Sequence, residues 1–303
     1  MPGQAASLGV IVGVDGSAAS RVAVDWAARD AALRHVPLTL VHVLPGAAIQ
    51  SWIQVPLPAA YFEDEKTTAR EILADARDVV RSATAGAEPI SVDGRVVSGQ
   101  AISALADLTK DADMIVVGCR GLGKWERRVL GSVSTGLAQH AHCPVAVIHD
   151  EDPLIPHPAQ APVVVGIDGS PASEHATAIA FDEASRRGVD LVAVHTWSDA
   201  GYELPDAAWS EVQPEEDMLL AERLAGWQER YPDVSVRRVV RRDQPARRLL
   251  EEAAAAQLLV VGSRGIGAFR RGLSGSISTG LVHHGHCPVA VIHDGPVPPA
   301  HLP

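Results

Sequence analysis

Residues 118–132 read GCRGLGKWERRVLGS and combine four glycines with four basic side chains. Glycine lets a ligand approach the main chain and lets neighbouring amide N–H groups converge on an anion. The pair Gly131-Ser132 precedes a short helical pattern, whose N-terminus would add unpaired N–H donors and a partial positive charge. The hydroxyls of Ser132 and Ser134 can supplement these donors. The chemistry predicted for this segment is therefore the binding of phosphate, with nearby cations from Arg120, Lys124, Arg127 and Arg128.

The same pattern occurs a second time, because residues 262–276 read GSRGIGAFRRGLSGS. Both copies keep every glycine of G-x2-G-x9-G-S. An alternative interpretation stays open, in which the glycines only form turns after a strand, since duplication alone explains part of the likeness.

The repetition extends over the whole chain. LGVIVGVDGSAAS returns as PVVVGIDGSPAS, and GSVSTGLAQHAHCPVAVIHD returns as GSISTGLVHHGHCPVAVIHD with sixteen of twenty positions identical. A period of about 150 residues is too long for a solenoid repeat and indicates a duplicated domain. We predict a first domain over 1–150, a proline-rich linker over 151–161 and a second domain over 162–303.

Within each copy the pattern alternates between strand and helix. Strands are expected at LGVIVGVD, PLTLVHVL, SVDGRVV, DMIVVG and PVAVIHD, and helices after Ser17, over 62–84, at AISALADLTKD and over 132–140. In the first helix, Val22, Trp26, Ala27 and Leu33 recur at helical spacing, and Ser17 is placed to cap it. Short alternating units imply an α/β fold, with a doubly wound parallel sheet and helices on both faces.

Composition excludes several classes of protein. The net charge of −11 argues against general affinity for nucleic acid or anionic membrane, and no apolar run is long enough for a membrane span. Three scattered cysteines do not make a disulfide framework, and no signal peptide is recognisable. We therefore expect a soluble, reduced, cytoplasmic protein.

Two loops per copy carry polar chemistry at strand ends, namely VDGS or IDGS after the first strand and the glycine-rich segment after the fourth. In an open parallel sheet, ligands bind beyond the carboxyl ends of the strands, where the winding reverses. Gly13 and Gly118 would leave main chain uncovered on the two walls of one crevice. Neither copy has the Walker pattern or the dinucleotide fingerprint after its first strand.

At these residues the sequence resembles the universal stress protein family, in its tandem, ATP-binding form. The resemblance covers about residues 8–150 and 162–294 and rests on the glycine pattern together with an aspartate that closes the first strand, Asp15 or Asp168. It implies a five-stranded sheet in the order 3-2-1-4-5 in each domain, with adenine against the ends of the first two strands. It further implies ATP, Mg²⁺ bound through the phosphates, a homodimer, and a regulatory protein partner of unknown identity.

The candidate nucleotide-binding residues follow from the loops and the resemblance together. In the first copy they are Gly13, Val14, Asp15, Val41, Val117, Gly118, Cys119, Arg120, Gly121, Leu122, Gly123, Lys124, Gly131, Ser132, Val133 and Ser134. In the second copy they are Gly166, Ile167, Asp168, Val194, Asp199, Val261, Gly262, Ser263, Arg264, Gly265, Ile266, Gly267, Ala268, Gly275, Ser276, Ile277 and Ser278.

Other residues carry weaker signals. Asp199 has no acidic counterpart in the first copy, so it is either a ligand of a ribose hydroxyl or a solvated loop residue. The run HHGHC ends a helical pattern, where its residues diverge rather than converge on a metal. Cys119 lies in the phosphate loop, where a thiolate would be stabilised. No catalytic or metal-binding residues are assigned.

Three functions remain in competition. The leading hypothesis is a nucleotide-dependent regulator of stress response or growth that binds ATP in both domains with little turnover. The second is a slow ATPase or phosphotransferase that uses the same sites. The third is a structural assembly module whose loops no longer bind a ligand. Nucleotide recovered from the purified protein would separate the first two from the third.

Overall fold

A computed structural model describes residues 7–45, 59–119, 131–149, 160–197, 206–265, 276–285 and 287–293. The chain divides into two compact units, Met1–Asp150 and Glu151–Pro303. The described part of each unit contains five strands in one parallel sheet, with helices packed against it. No helix in these segments is long and apolar enough to cross a membrane.

The first unit has its strands in the spatial order β3-β2-β1-β4-β5. The strands are β1 (Val10–Gly13), β2 (Leu38–Pro45), β3 (Val92–Gly99), β4 (Met114–Gly118) and β5 (Val145–Ile148). The helices are α1 (Ala18–Arg34), α2 (Ala59–Ala83), α3 (Ala101–Leu108) and α4 (Ser132–His140). A 3-10 turn over Thr109–Asp111 follows α3, where a single helix was predicted.

The second unit repeats this arrangement in the order β8-β7-β6-β9-β10. Its strands are β6 (Val163–Gly166), β7 (Leu191–Trp197), β8 (Val236–Arg242), β9 (Leu258–Gly262) and β10 (Val289–Ile292). Its helices are α5 (Pro171–Arg187), α6 (Asp206–Arg230), α7 (Pro245–Ala253) and α8 (Ser276–His284). The predicted α/β fold class and the 3-2-1-4-5 order are confirmed in both units.

The central strands are buried on both faces, as their unbroken apolar runs predict. In β1, alternate residues beginning at Val10 pack against α1 and α2, whereas Gly13 faces Leu105 of α3 on the opposite side. The same two-sided cover forms in the second unit, where Gly166 faces Leu249 of α7. Helices therefore cover both faces of each sheet.

The first helix of each unit begins at a serine cap. The hydroxyl oxygen of Ser17 accepts the backbone N–H of Ser20, and that of Ser170 accepts the N–H of Ser173. Such caps satisfy one of the N–H groups that a helix leaves unpaired at its start. The predicted cap at Ser17 is confirmed.

The buried face of α1 matches the prediction except at Leu33. Ala27 has no exposed surface, and Val22 and Trp26 are partly buried against the core, as predicted. Leu33, by contrast, is 40% exposed. Ala23 and Ala31, which were not predicted, are fully buried on the same helix.

The ladders leave a step at the carboxyl end of each central strand. The β1–β2 ladder ends at the pair of Gly13 with Val41, but β2 and β3 stay paired as far as Pro45. In the second unit, β6 ends at Gly166, and β7 continues beside β8 as far as Trp197. We call the space beyond the end of β1 or β6, beside this step, the recess. It adjoins the topological switch point, which lies between β1 and β4 in the first unit and between β6 and β9 in the second, and ligands bind at such points in folds of this kind.

Close packing fixes one glycine at the end of β4 and one at the end of β9. A Cβ atom on Gly118 would lie 2.8 Å from the carbonyl carbon of Ala19 in the first turn of α1. A Cβ atom on Gly262 would lie 2.9 Å from the Cβ of Ala172. Both distances are shorter than ordinary contacts, so only glycine fits.

We predict that Gly118→Ala destabilises the protein by about 1–3 kcal/mol, because the added methyl group overlaps main chain that cannot move aside. Gly226→Ala is the matched control, since Gly226 lies within α6 and its Cβ position is open. That change should be neutral or stabilising by up to about 1 kcal/mol, from helix propensity. Urea unfolding of both variants measures the difference, and equal stabilities would contradict the packing account.

Candidate functional site

The turn that follows the central strand is built around an aspartate in each unit. Oδ1 of Asp15 accepts hydrogen bonds from the N–H and the hydroxyl of Ser17, at 2.9 and 2.6 Å. Oδ1 of Asp168 accepts the same pair from Ser170, at 3.0 and 2.7 Å. The intervening residue Gly169 has φ +78°, a conformation that favours glycine. The aspartate predicted as a ligand residue therefore also holds the turn and the start of the helix in place.

A histidine that the sequence analysis missed links the first two strands at the same edge. The backbone N–H of Val14 donates to the carbonyl of Val41, at 2.9 Å. Nδ1 of His42 lies 2.7 Å from the carbonyl oxygen of Val14 and must carry the proton, because a carbonyl can only accept. The sequence could have indicated this histidine, because both copies place one inside the second strand, as His42 and His195.

The second unit repeats this link. The N–H of Ile167 donates to the carbonyl of Val194 at 2.9 Å, and Nδ1 of His195 lies 2.7 Å from the carbonyl of Ile167. Here Nε2 of the same ring lies 3.3 Å from a carboxylate oxygen of Glu216. The main chain around the predicted adenine position is therefore fixed in the same way in both units.

The end of β4 is joined to the start of α4. The N–H of Cys119 donates to the carbonyl of Ile148 at 2.7 Å, and the N–H of Gly131 donates to the carbonyl of Cys119 at 2.8 Å. Since Gly118 lies against α1, three predicted parts of the site meet: the first-strand turn, the end of β4 and the N-terminus of α4.

Among the described residues, no side chain caps the N-terminus of α4. Gly131 is its N-cap residue and provides no side-chain cap. The first N–H groups of an α-helix have no intrahelical acceptor, so those that follow Gly131 are available to an anion. The side chain of Ser132 is exposed beside them.

The structure places the hydroxyl of Ser134, which was predicted to bind phosphate, against the main chain. Its hydroxyl donates to the carbonyl of Gly131 at 2.9 Å, and only 1% of the residue is exposed. Ser278 in the second unit is also buried, with its hydroxyl 3.4 Å from the carbonyl of Ser263. Both hydroxyls are turned toward the main chain at the helix start, so they stabilise the loop rather than face the crevice.

The interpretation of Gly13 and Gly118 as uncovered main chain also needs correction. The space beside Gly13 is filled by Val117 and Leu105, and the space beside Gly118 is filled by α1. The missing side chains therefore serve the packing of the protein on itself. A ligand can reach these residues only through their other backbone atoms.

In the second unit, the first residues of the glycine-rich loop contact the turn that follows the central strand. The hydroxyl of Ser170 lies 3.1 Å from the carbonyl of Arg264. A Cβ atom on Gly265 would lie 2.5 Å from Oδ2 of Asp168, so a side chain there would displace the carboxylate. The structure thus brings Asp168 and the start of the predicted phosphate loop into direct contact.

Several candidate side chains are buried and can contribute only through their main chain. They are Val14, Val41, Val117, Cys119, Ile167, Val194, Val261 and Ser263. Val133 is partly exposed, Ile277 is exposed at the start of α8, and the backbone of Ser276 begins that helix. Other candidates lie outside the described residues: Arg120, Gly121, Leu122, Gly123, Lys124, Arg127, Arg128, Asp199, Ile266, Gly267, Ala268 and Gly275.

The histidines of the HHGHC run lie at a helix end. His283 and His284 belong to the last turn of α8, with ring centroids 6.2 Å apart. Within the described segments, no three side chains of His, Cys, Asp or Glu are grouped so that they could hold a metal ion.

Comparison with known proteins places this geometry in a family. The model of the universal stress protein family matches residues 9–149 and 161–293. The chain is 53% identical over 289 residues to Universal stress protein Rv2623 of Mycobacterium tuberculosis, a match that covers 95% of this chain and 97% of that protein. It is 49% identical over 284 residues to Universal stress protein Rv2005c of the same species, covering 93% of this chain and 96% of that protein.

A solved structure supports the fold independently. The universal stress protein from Archaeoglobus fulgidus matches with a TM-score of 0.67 at 19% identity, covering 95% of this chain and 99% of that one. Fold and site define an α/β protein made of two copies of one crevice-bearing unit. The chain belongs to the universal stress protein family.

We predict that the thiols of the folded protein react slowly. Cys119, Cys143 and Cys287 are all buried, and burial raises the pKa of the Cys143 thiol to about 12. A thiol reagent at pH 8 should modify the native chain at least about a hundredfold more slowly than the urea-unfolded chain, because reaction requires opening of the structure. Rapid modification of Cys119 in native protein would instead favour a redox role for the phosphate loop.

Proposed function

We propose that each unit binds one molecule of ATP in the recess beyond its central strand, and that the bound nucleotide controls contacts with a partner protein in stress response or growth. The observation that supports this most is the start of α4. The helix begins beside the end of β4 without a side-chain cap, so its N–H groups are available to phosphate oxygens.

The adenine end of the nucleotide is assigned to the edge formed by the first two strands. The side chains of Val14 and Val41 are buried, so recognition of the base falls to the main chain of these strand ends. The bonds from Val14 to Val41 and from His42 to Val14 hold that main chain rigid. A rigid main chain lowers the entropy lost on binding.

Mg²⁺ would arrive with the phosphates in this proposal. Across the described residues, no cluster of three potential ligands is positioned to bind a metal. In nucleotide sites Mg²⁺ keeps several waters and is held by substrate phosphates with few protein carboxylates. The role of the protein is then to bind the phosphates and offset their charge.

We expect slow turnover of ATP because the aspartates at the recess already accept hydrogen bonds. Phosphoryl transfer needs an oriented nucleophile as well as neutralised charge. Oδ1 of Asp15 and Oδ1 of Asp168 already accept two hydrogen bonds each from their own turns. We therefore assign them to structure and binding rather than to general-base catalysis.

The proposal also covers the oligomeric state of the protein and its location in the cell. The resemblance to tandem ATP-binding relatives supports a homodimer with a regulatory protein partner. The three cysteines form no disulfide, which fits a reducing compartment such as the cytoplasm.

We predict that Gly131→Arg empties one of two ATP sites, because the new side chain enters the space in front of the α4 N-terminus. Calorimetry on nucleotide-stripped protein should give two sites per chain for the parent and one for the variant. Gly226→Arg is the matched control, since it adds the same charge at an open position of α6 and should retain both sites. A parent with fewer than two sites, or a Gly131→Arg variant with two, would count against the proposal.

We also predict that ATP is hydrolysed at less than about 0.01 per second, far below the usual enzyme range of roughly 1–10³ per second. Phosphate release under excess MgATP measures the rate. Turnover of order 1 per second that disappears in Gly131→Arg would show that the protein is an ATPase instead of a slow binder.

A further inference from the structure

We propose that Arg223 is an additional anion-binding residue of the second unit's nucleotide site, with no counterpart in the first unit. This inference rests on the proposed function and adds to it a difference between the two sites. The second unit would then draw a larger share of its ATP affinity than the first unit from the negative charge of the phosphates.

The guanidinium group of Arg223 lies against the first-strand turn. Gly169, between Asp168 and Ser170, has φ +78°, and a Cβ atom there would overlap the guanidinium group of Arg223. The arginine extends from α6 and lies directly on the main chain of the turn that carries Asp168.

The first unit has an apolar residue at the same place. Its turn glycine, Gly16, has φ +82°, and a Cβ atom there would lie 3.3 Å from Cγ1 of Ile72 in α2. Ile72 and Arg223 therefore cover equivalent glycines in equivalent turns. The exchange places a permanent positive charge beside one recess and none at the corresponding position beside the other.

The charge of Arg223 is only weakly compensated by the protein. Its single ion pair in the described segments is with Glu174, at 3.8 Å, and their side chains are 32% and 46% exposed. No hydrogen bond from its guanidinium to another described residue is present. By contrast, Arg238 in the same unit makes two hydrogen bonds to Asp217, each at 3.2 Å. Arg223 thus keeps N–H donors for hydrogen bonds to an oxyanion such as phosphate.

The predicted phosphate loop reaches the same turn from another side. Ser170 bonds to the carbonyl of Arg264, and Gly265 lies against the carboxylate of Asp168. Arg223 and the start of the loop therefore both contact the three-residue segment 168–170. We infer that a phosphate bound beside this segment would be attracted by the guanidinium, an attraction that is strengthened where water is partly excluded.

The test uses the full chain with Gly131→Arg, which leaves the second unit as the nucleotide site. In this background, Arg223→Ile introduces the residue that the first unit has at this position. ATP affinity should fall about tenfold, as expected for the loss of one charge-assisted hydrogen bond at a partly exposed site. Adenosine affinity should change less than about twofold, because adenosine carries no phosphate. The dependence of ATP affinity on salt should become shallower.

Two further variants separate binding from structure. Arg223→Lys keeps the charge and should retain most of the ATP affinity. Arg230→Gln removes a charge from the end of the same helix, where the guanidinium lies 5.6 Å from the ring centroid of Trp227, and should leave ATP affinity unchanged. Thermal unfolding checks that every variant is folded.

The outcomes are distinct. Unchanged ATP affinity in Arg223→Ile overturns the inference, and so does a parallel loss of ATP and adenosine, which would show a purely structural arginine. If the Gly131→Arg parent binds neither ligand, the proposed function fails for the second unit and the inference fails with it. Selective loss of ATP affinity, retained by lysine, supports it.

Discussion

The site depends on one close contact between a strand end and a helix. At Gly118 the last residue of β4 passes the first turn of α1 with no room for a side chain, and Gly262 repeats this in the second unit. The contact fixes the start of α1, and with it the aspartate turn, next to the end of β4, where the carbonyl of Cys119 accepts the N–H of Gly131. Any larger residue would separate the two walls of the recess. The packing of small residues is thus what brings the polar groups together.

The sequence was sufficient for the order of elements because strands buried on both faces leave unbroken apolar runs, and duplication presented each run twice. The same logic found the cap at Ser17 and placed Asp15 in the turn after the first strand, since both residues lie at a strand–helix junction. The sequence pattern could not predict in which direction a side chain points. Ser134 was predicted to face a ligand, yet its hydroxyl turns back to the main chain. Leu33 was assigned to the core, yet it is 40% exposed.

The two units share one main-chain frame but differ in the side chains around it. In the second unit, the ring of Trp197 at the end of β7 lies 5.8 Å from that of Trp209 in α6, and His195 lies near Glu216. The hydrogen bonds that hold the strand ends are nevertheless the same in both units. A duplicated fold can in this way keep one binding geometry and give its copies different charge and apolar surroundings.

The central claim is that both recesses are nucleotide sites. The most direct measurement is quantitative mass spectrometry of the small molecules released when the purified chain is denatured. Because binding is proposed to be tight and turnover slow, the account predicts intact ATP, approaching two molecules per chain. Protein that releases no nucleotide, and that takes up none after incubation with MgATP, would contradict it.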